Sequence, residues 1–231
     1  MKKIIALILA LTCAVLCFAS CGKKDPPVEK NDDPVGKKLS VEGLPFEFRL
    51  EADESGQAAT ATIELWTEIT GIITIPETVE YNSHVYPITK IGLGTNIMMT
   101  EPSALKTLVL SKNVKEIAES AFAMCNNLSL IRFSEGLEKI GDSAFWGTAL
   151  ETLEFPSSLK SIGKSSFMSN RSLTSVTFNA DIETIADTAF GFCVNIETIS
   201  IPRRFRGNLN AIFSNIGDTP ASDKCVVTSP D

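Results

Sequence analysis

Catalysis needs a nucleophile with a base, a metal-ligand set or a phosphate cradle, and this chain supplies little for any of them. It holds one histidine, His84, and six cysteines among 231 residues. Cys125, Cys193 and Cys225 lie in the body of the chain, without metal-ligand spacing and without a second histidine to complete a zinc or Cys–His set. Neither a Gly-rich phosphate loop nor a G-x-S-x-G element is present. Acidic residues are plentiful, among them Glu135, Glu138, Asp142, Glu151 and Glu154. They fall on slots expected to face water, where a carboxylate pair lacks the cleft that would raise one pKa for glycoside hydrolysis. No catalytic residue, metal or cofactor is assigned, and the chain reads as a non-enzyme.

The cysteine with the most definite chemistry is Cys21. Residues 1–20 open with Lys2 and Lys3, and Ile4 to Phe18 is apolar or small apart from Thr12. That run of about 15 residues falls short of the ~20 needed to span a bilayer, so it reads as a secretory signal. Phe18-Ala19-Ser20-Cys21 resembles a lipobox, the signal for bacterial prolipoprotein processing. The resemblance implies diacylglycerol on the Cys21 thiol, cleavage before it and acylation of the new N-terminus. Phe18 stands where Leu is usual. Cys17 suits the role less well, because bulky Leu16 sits where a small residue is wanted. The alternative is ordinary secretion with Cys21 left as a thiol. One acyl chain holds a protein only marginally, whereas two or three hold it firmly at about 0.8 kcal/mol per buried methylene. Setting aside Lys2 and Lys3 from 21 basic residues leaves 19 against 28 acidic ones, a net of −9. That sign argues against nucleic acid and against an anionic bilayer surface as partners.

Stepping along the chain, residues 21–39 are charged, contain three prolines and have almost nothing to bury, so they read as a lipid-anchored flexible tether. Residues 40–104 read as an N-terminal β cap followed by a hairpin-bearing opening repeat. An internal repeat then fills residues 105–202. Its units begin at Leu105, Leu128, Leu150 and Leu173, and their closing phenylalanines, Phe122, Phe145, Phe167 and Phe190, are spaced 23, 22 and 23 residues apart. A fifth unit begins at Ile196 and then departs from the pattern. Alternation at Leu108 and Leu110 predicts a strand with one buried face, Val114 and Ile117 a second short strand, and Ala121-Phe122 a helical turn that places its ring in the coil centre. One unit cannot bury these side chains alone, but stacked units can, at a rise of about 4.8 Å per coil.

These units resemble the BspA-type leucine-rich repeat family, on Glu154-Phe155-Pro156, Ser161-Ile162-Gly163 and Ala121-Phe122-Ala123-Met124-Cys125. Ile73-Thr74-Ile75-Pro76 and Ile88-Thr89-Lys90-Ile91-Gly92 extend the likeness upstream. Between them, residues 80–86 resemble the hairpin insertion often seen in that family's first repeat, which puts His84 at a solvent-exposed turn. Gly94 to Met99 replace the Ala-Phe closure of this opening unit. The resemblance implies a β-rich α/β solenoid of 22–23-residue leucine-rich repeats, with short strands, single helical turns and an N-terminal β cap containing Trp66. Residues 203–231 read as a C-terminal cap and frayed tail. Within it Arg203, Arg204 and Arg206 surround Phe205, and Leu209, Ile212, Phe213 and Ile216 have helix-like spacing. The competing reading of the arginines is a basic contact patch.

Cys125 and Cys193 share a repeat slot three coils apart, about 14 Å at that rise. This exceeds the ~7 Å between alpha carbons that a disulfide bridges, so both are expected to be buried thiols. Cys225 could approach Cys193 through the C-terminal segment. Outward positions of the first strands form a candidate binding face: Thr107 and Val109, Leu130 and Arg132, Thr152 and Glu154, Ser175 and Thr177, Thr198 and Ser200. Trp146 is a candidate exposed anchor, since aromatic residues concentrate at binding hot spots. Hydroxyl residues also suit exposed strands for purely structural reasons. The family resemblance implies a surface-exposed cell-envelope protein that binds proteins of a host or neighbouring cell, and the lipobox-like segment implies a hold on the membrane through lipid on Cys21. Carbohydrate capture and envelope scaffolding are the alternatives.

Overall fold

The computed structural model describes residues 33–43, 46–66, 70–92, 104–178, 182–217, 223 and 225–226. The signal-like segment, Cys21, residues 94–99 and the side chains of Trp66 and Cys225 lie outside that description.

In chain order, β1 (Lys38–Leu39), β2 (Phe46–Ala52) and β3 (Ala58–Trp66) form the N-terminal cap. The opening repeat is β4 (Thr70–Thr74), β5 (Thr78–Tyr81) and β6 (His84–Ile91). Four coils follow as pairs of strands: β7 (Ala104–Val109) with β8 (Glu116–Ile117), β9 (Leu130–Arg132) with β10 (Lys139–Ile140), β11 (Thr152–Phe155) with β12 (Ser161–Ile162), and β13 (Ser175–Phe178) with β14 (Thr184–Ile185). Next come β15 (Thr198–Ser200), a 3₁₀ segment at Arg203–Asn208, α1 (Leu209–Ile212) and β16 (Cys225–Val226).

Residues one repeat apart pair in parallel, Thr107 with Leu130 and Ser175 with Thr198 among them. The strands therefore stack into two ladders. The second strands continue into the cap, in the order β1-β2-β3-β6-β8-β10-β12-β14, with β5 paired to β6. The first strands instead form two separate sheets, β4-β7-β9 and β11-β13-β15-β16. The break falls where the repeat loses a residue: five positions separate Phe145 from Leu150, against six in the neighbouring units. This shortened turn feeds directly into β11.

Between the ladders lies a column of rings. Phe122, Phe145, Phe167, Phe190 and Phe213 stack with centroids 5.4, 5.3, 5.1 and 4.8 Å apart and planes within 16° of parallel. Phe133, Phe155 and Phe178 form a shorter second column, at 5.3 and 4.9 Å. Offset ring pairs add about 0.5–1.5 kcal/mol each beyond the area they bury. Polar side chains also enter the coil core, while in the cap the buried Thr62 Oγ1 lacks a hydrogen-bond partner among the described residues. The slot three residues after each marker phenylalanine holds Cys125, Thr148, Asn170, Cys193 and Ile216, all buried. Asn170 Nδ2 donates to the carbonyls of Phe145 (2.8 Å) and Phe167 (2.9 Å), and the Thr148 hydroxyl donates to Asn170 Oδ1.

Three expectations change. The fifth coil does not dissolve into a cap: Phe213 follows Phe190 by 23 residues and stacks on it. Phe205, Leu209, Ile212 and Ile216 are buried in the same coil, with helical turns in place of its second strand. Those turns gave the helix-like spacing that disguised the repeat. The expected tether over 21–39 is shorter at its C-terminal end. There β1 pairs with β2, Val35 bridges to Leu50, and the Asp33 side chain is only 5% exposed. Its composition concealed this, because backbone pairing and one carboxylate hold the segment and little apolar burial does. The tail expected to be frayed includes β16, whose backbone places Cys225 beside Ile199 and Val226 beside Ser200.

Candidate binding surface

The first strands position most of the candidate residues. Leu108, Ile131, Leu153, Val176 and Ile199 point into the coil and are buried, so their neighbours must point out. Pairing then aligns Thr107 with Leu130 and Val109 with Arg132 on one sheet. On the other it aligns Thr152, Ser175 and Thr198, and likewise Glu154, Thr177 and Ser200. The break between β9 and β11 divides the face into two patches of different chemistry. Register extends the first patch to Ile72, opposite Thr107, and Thr74, opposite Val109. Ile72 is 71% exposed, and Leu130 is also an exposed apolar side chain. Reading Ile73 and Ile75 as inward positions would have exposed Ile72 in the sequence. The second patch carries hydroxyls and Glu154, and part of it is self-satisfied: Thr198 Oγ1 donates to Ser175 Oγ at 2.9 Å.

Trp146 lies elsewhere, on the turns that follow the marker phenylalanines. The Met124 N–H donates to the Trp146 carbonyl (2.7 Å), the Gly147 N–H to Met168 (2.8 Å), and the Ser169 N–H to Gly191 (2.8 Å). Residues at these positions on successive coils are therefore neighbours. Met124 and Phe192 are each 44% exposed, Trp146 40% and Val194 42%. Met124 and Phe192 also hold positive φ, 63° and 59°, in the slot that Gly147, Ser169 and Asn215 fill in other coils. Left-handed backbone is costly for a bulky residue, yet two coils place large apolar side chains there and leave them in water. The signal was available as the second residue after each marker phenylalanine.

Other chemistry is sparse. Burial pushes the Cys193 thiol up to about 12, against a smaller downward pull from its backbone contact with Asn170, the wrong direction for a nucleophile. Its Sγ lies 3.1 Å from the Phe167 carbonyl, and Cys125 is buried likewise. Arg204 reaches the Ile182 carbonyl and lies 4.9 Å over the Phe205 ring, while Arg203 and Arg206 are exposed. Among the described residues there is no group of three or more side chains fit to hold a metal, and no helix long and apolar enough to cross a membrane.

A stacked coil of two short strands and one phenylalanine-bearing turn, repeated every 22–23 residues, defines a leucine-rich repeat solenoid. The BspA type leucine rich repeat model matches residues 98–217 in six copies, and the chain belongs to that family. Its fold is similar to that of the pneumococcal vaccine antigen PcpA, at 22% identity and a TM-score of 0.60, over 73% of this chain and 45% of that one. The leucine rich repeat protein of T. pallidum is similar at 20% identity and 0.55, over 71% of this chain and 72% of that one. A leucine-rich repeat protein from Bacteroides ovatus matches at 20% identity and 0.50, over 71% of this chain and 47% of that one. The chain thus spans less than half the length of the pneumococcal antigen. No curated protein matches it.

Proposed function

We propose that this chain is a bacterial envelope lipoprotein, tethered through lipid on Cys21, whose solenoid binds a protein on a host or neighbouring cell and has no catalytic role. The observation that carries this reading is the turn edge. Met124, Trp146, Phe192 and Val194 keep apolar side chains in water on a rigid ladder, two of them in strained backbone. Aromatic residues and methionine are the types enriched at the buried centres of protein interfaces. The mixed strand face, from Ile72 and Leu130 to Thr198 and Ser200, supplies a second surface for the same partner. The signal-like segment and the lipobox-like Phe18-Ala19-Ser20-Cys21 support the anchor.

The test is a screen of the purified chain against immobilised matrix proteins and glycans, followed by the double variant Trp146→Ser/Phe192→Ser. Capture by a protein ligand should survive excess free glycan and fall at least about tenfold in the variant, the scale of losing two interface anchors. Binding only to glycans, or a variant that binds as the native chain does, would sink the reading.

A further inference from the structure

Asp33 is the first described residue, and its carboxylate is engaged by one hairpin. Asn82 Nδ2 donates to Oδ1 at 2.7 Å, the Tyr86 hydroxyl donates to Oδ2, and His84 Nδ1 lies 3.1 Å from Oδ2. All three side chains belong to β5–β6 and its turn, a hairpin found in no other coil among the described residues. The turn also selects Asn82: its φ is 47°, and Asn is among the few residues that adopt this conformation readily. Tyr86 is buried, so its hydroxyl needs a partner within the fold.

Beyond this contact the chain follows the edge of β2. Val35 bridges to Leu50, the Gly36 N–H donates to the Leu50 carbonyl (2.9 Å), β1 pairs through Lys38–Arg49 and Leu39–Phe48, and Lys38 pairs with Glu47. Apolar burial along the segment is slight. Leu39 packs partly on the core, whereas Val35 is exposed, as are Gly36, Lys37 and Lys38. Segments held by few apolar contacts open locally at a free energy far below that of the whole fold. Beneath this one lies β2, a seven-residue strand whose edge is a template for another extended chain.

We infer that residues 33–39 form a releasable strap, locked at Asp33 onto the hairpin of the opening repeat, whose release uncovers the β2 edge of the nine-stranded sheet. The hairpin is then the receptor for Asp33, and the strap is held there at one end and along β2 at the other.

Hydrogen exchange read by mass spectrometry on the full chain tests this, with Asp33→Asn and the milder Tyr86→Phe beside the native protein. Losing the charge-assisted contacts should speed exchange at residues 34–41 and 48–50 on the order of tenfold, and leave the coils from Phe122 to Phe213 unchanged. Tyr86→Phe should do the same to a smaller extent, and it carries the test if Asp33→Asn fails to fold. Unchanged exchange in the strap would overturn the inference. So would faster exchange spreading through the coils, because the contact would then be part of the global fold and not a lock on a separate strap.

Discussion

The two ladders of this solenoid are built from the same repeat, yet one runs unbroken from the cap through the fourth coil and the other divides between β9 and β11. The second strands are only two residues long in the coils, but every one finds its neighbour in register. The first strands are longer and still separate, at the one turn that is a residue short. Continuity in a stacked fold is thus decided by the uniformity of the connecting turns more than by strand length. At the break, the ring column reinforces a join otherwise left to the second ladder and to the Ala149 and Glu151 N–H bonds to the Leu128 and Ser129 carbonyls.

The largest expected effect follows from that. Phe145 stacks on Phe122 and Phe167 and meets Phe133 edge-on, so its ring spans the break. Phe145→Ala should cost about 3–5 kcal/mol, the range for emptying a buried aromatic site. In urea it should also separate melting of the cap and first coils from that of the later coils. A single cooperative transition with a loss below about 1 kcal/mol would show that the sheets, not the ring column, hold the halves together.

Asn170 gives a smaller effect at the same junction. Its amide joins Thr148, Phe145 and Phe167 across coils two and three. Asn170→Ala removes three hydrogen bonds from a buried site, at about 1–3 kcal/mol, although the Thr148 hydroxyl still reaches the Phe145 carbonyl (3.2 Å) and Cys193 Sγ the Phe167 carbonyl. A double-mutant cycle with Thr148→Val should reveal coupling between the two, whereas simple additivity would mean that each acts alone.

Much of this was legible in the residues. The coil frame stands out because Phe122, Phe145, Phe167 and Phe190 recur at the period that stacking imposes. Phe213 keeps that period, but Arg203 to Asn208 replace a strand with helical turns, and local spacing then suggested an unrelated cap. The ladder break left a trace in the missing residue before Leu150. Its consequence for pairing depends on backbone geometry, which spacing does not encode. Outward slots were readable wherever inward neighbours were. Nothing in the composition near Asp33 marked it as buried, because its partners lie 49 to 53 positions away.

The smallest expected effect lies at the far end of the continuous ladder and turns on that carboxylate. Burial, the strongest single influence on Asp33, pushes its pKa up. The hydrogen bonds from Tyr86 and Asn82 and the charge of His84 together outweigh it, and the carboxyl is held below its usual value. A group whose pKa is lowered by folding binds its proton more readily when released, so its stabilisation is complete above the ordinary value and fades as pH falls through the lowered one. The strap should therefore loosen below about pH 4, seen as faster exchange at residues 34–41 after correction for intrinsic rates. Glu47 and Glu64 pair nearby with Lys38 and Arg49. Asp33→Asn separates their contribution, because that variant should show a loose strap with little further change in acid. If native and variant straps respond to acid alike, those neighbouring pairs govern the edge of β2 and the hairpin contact does not.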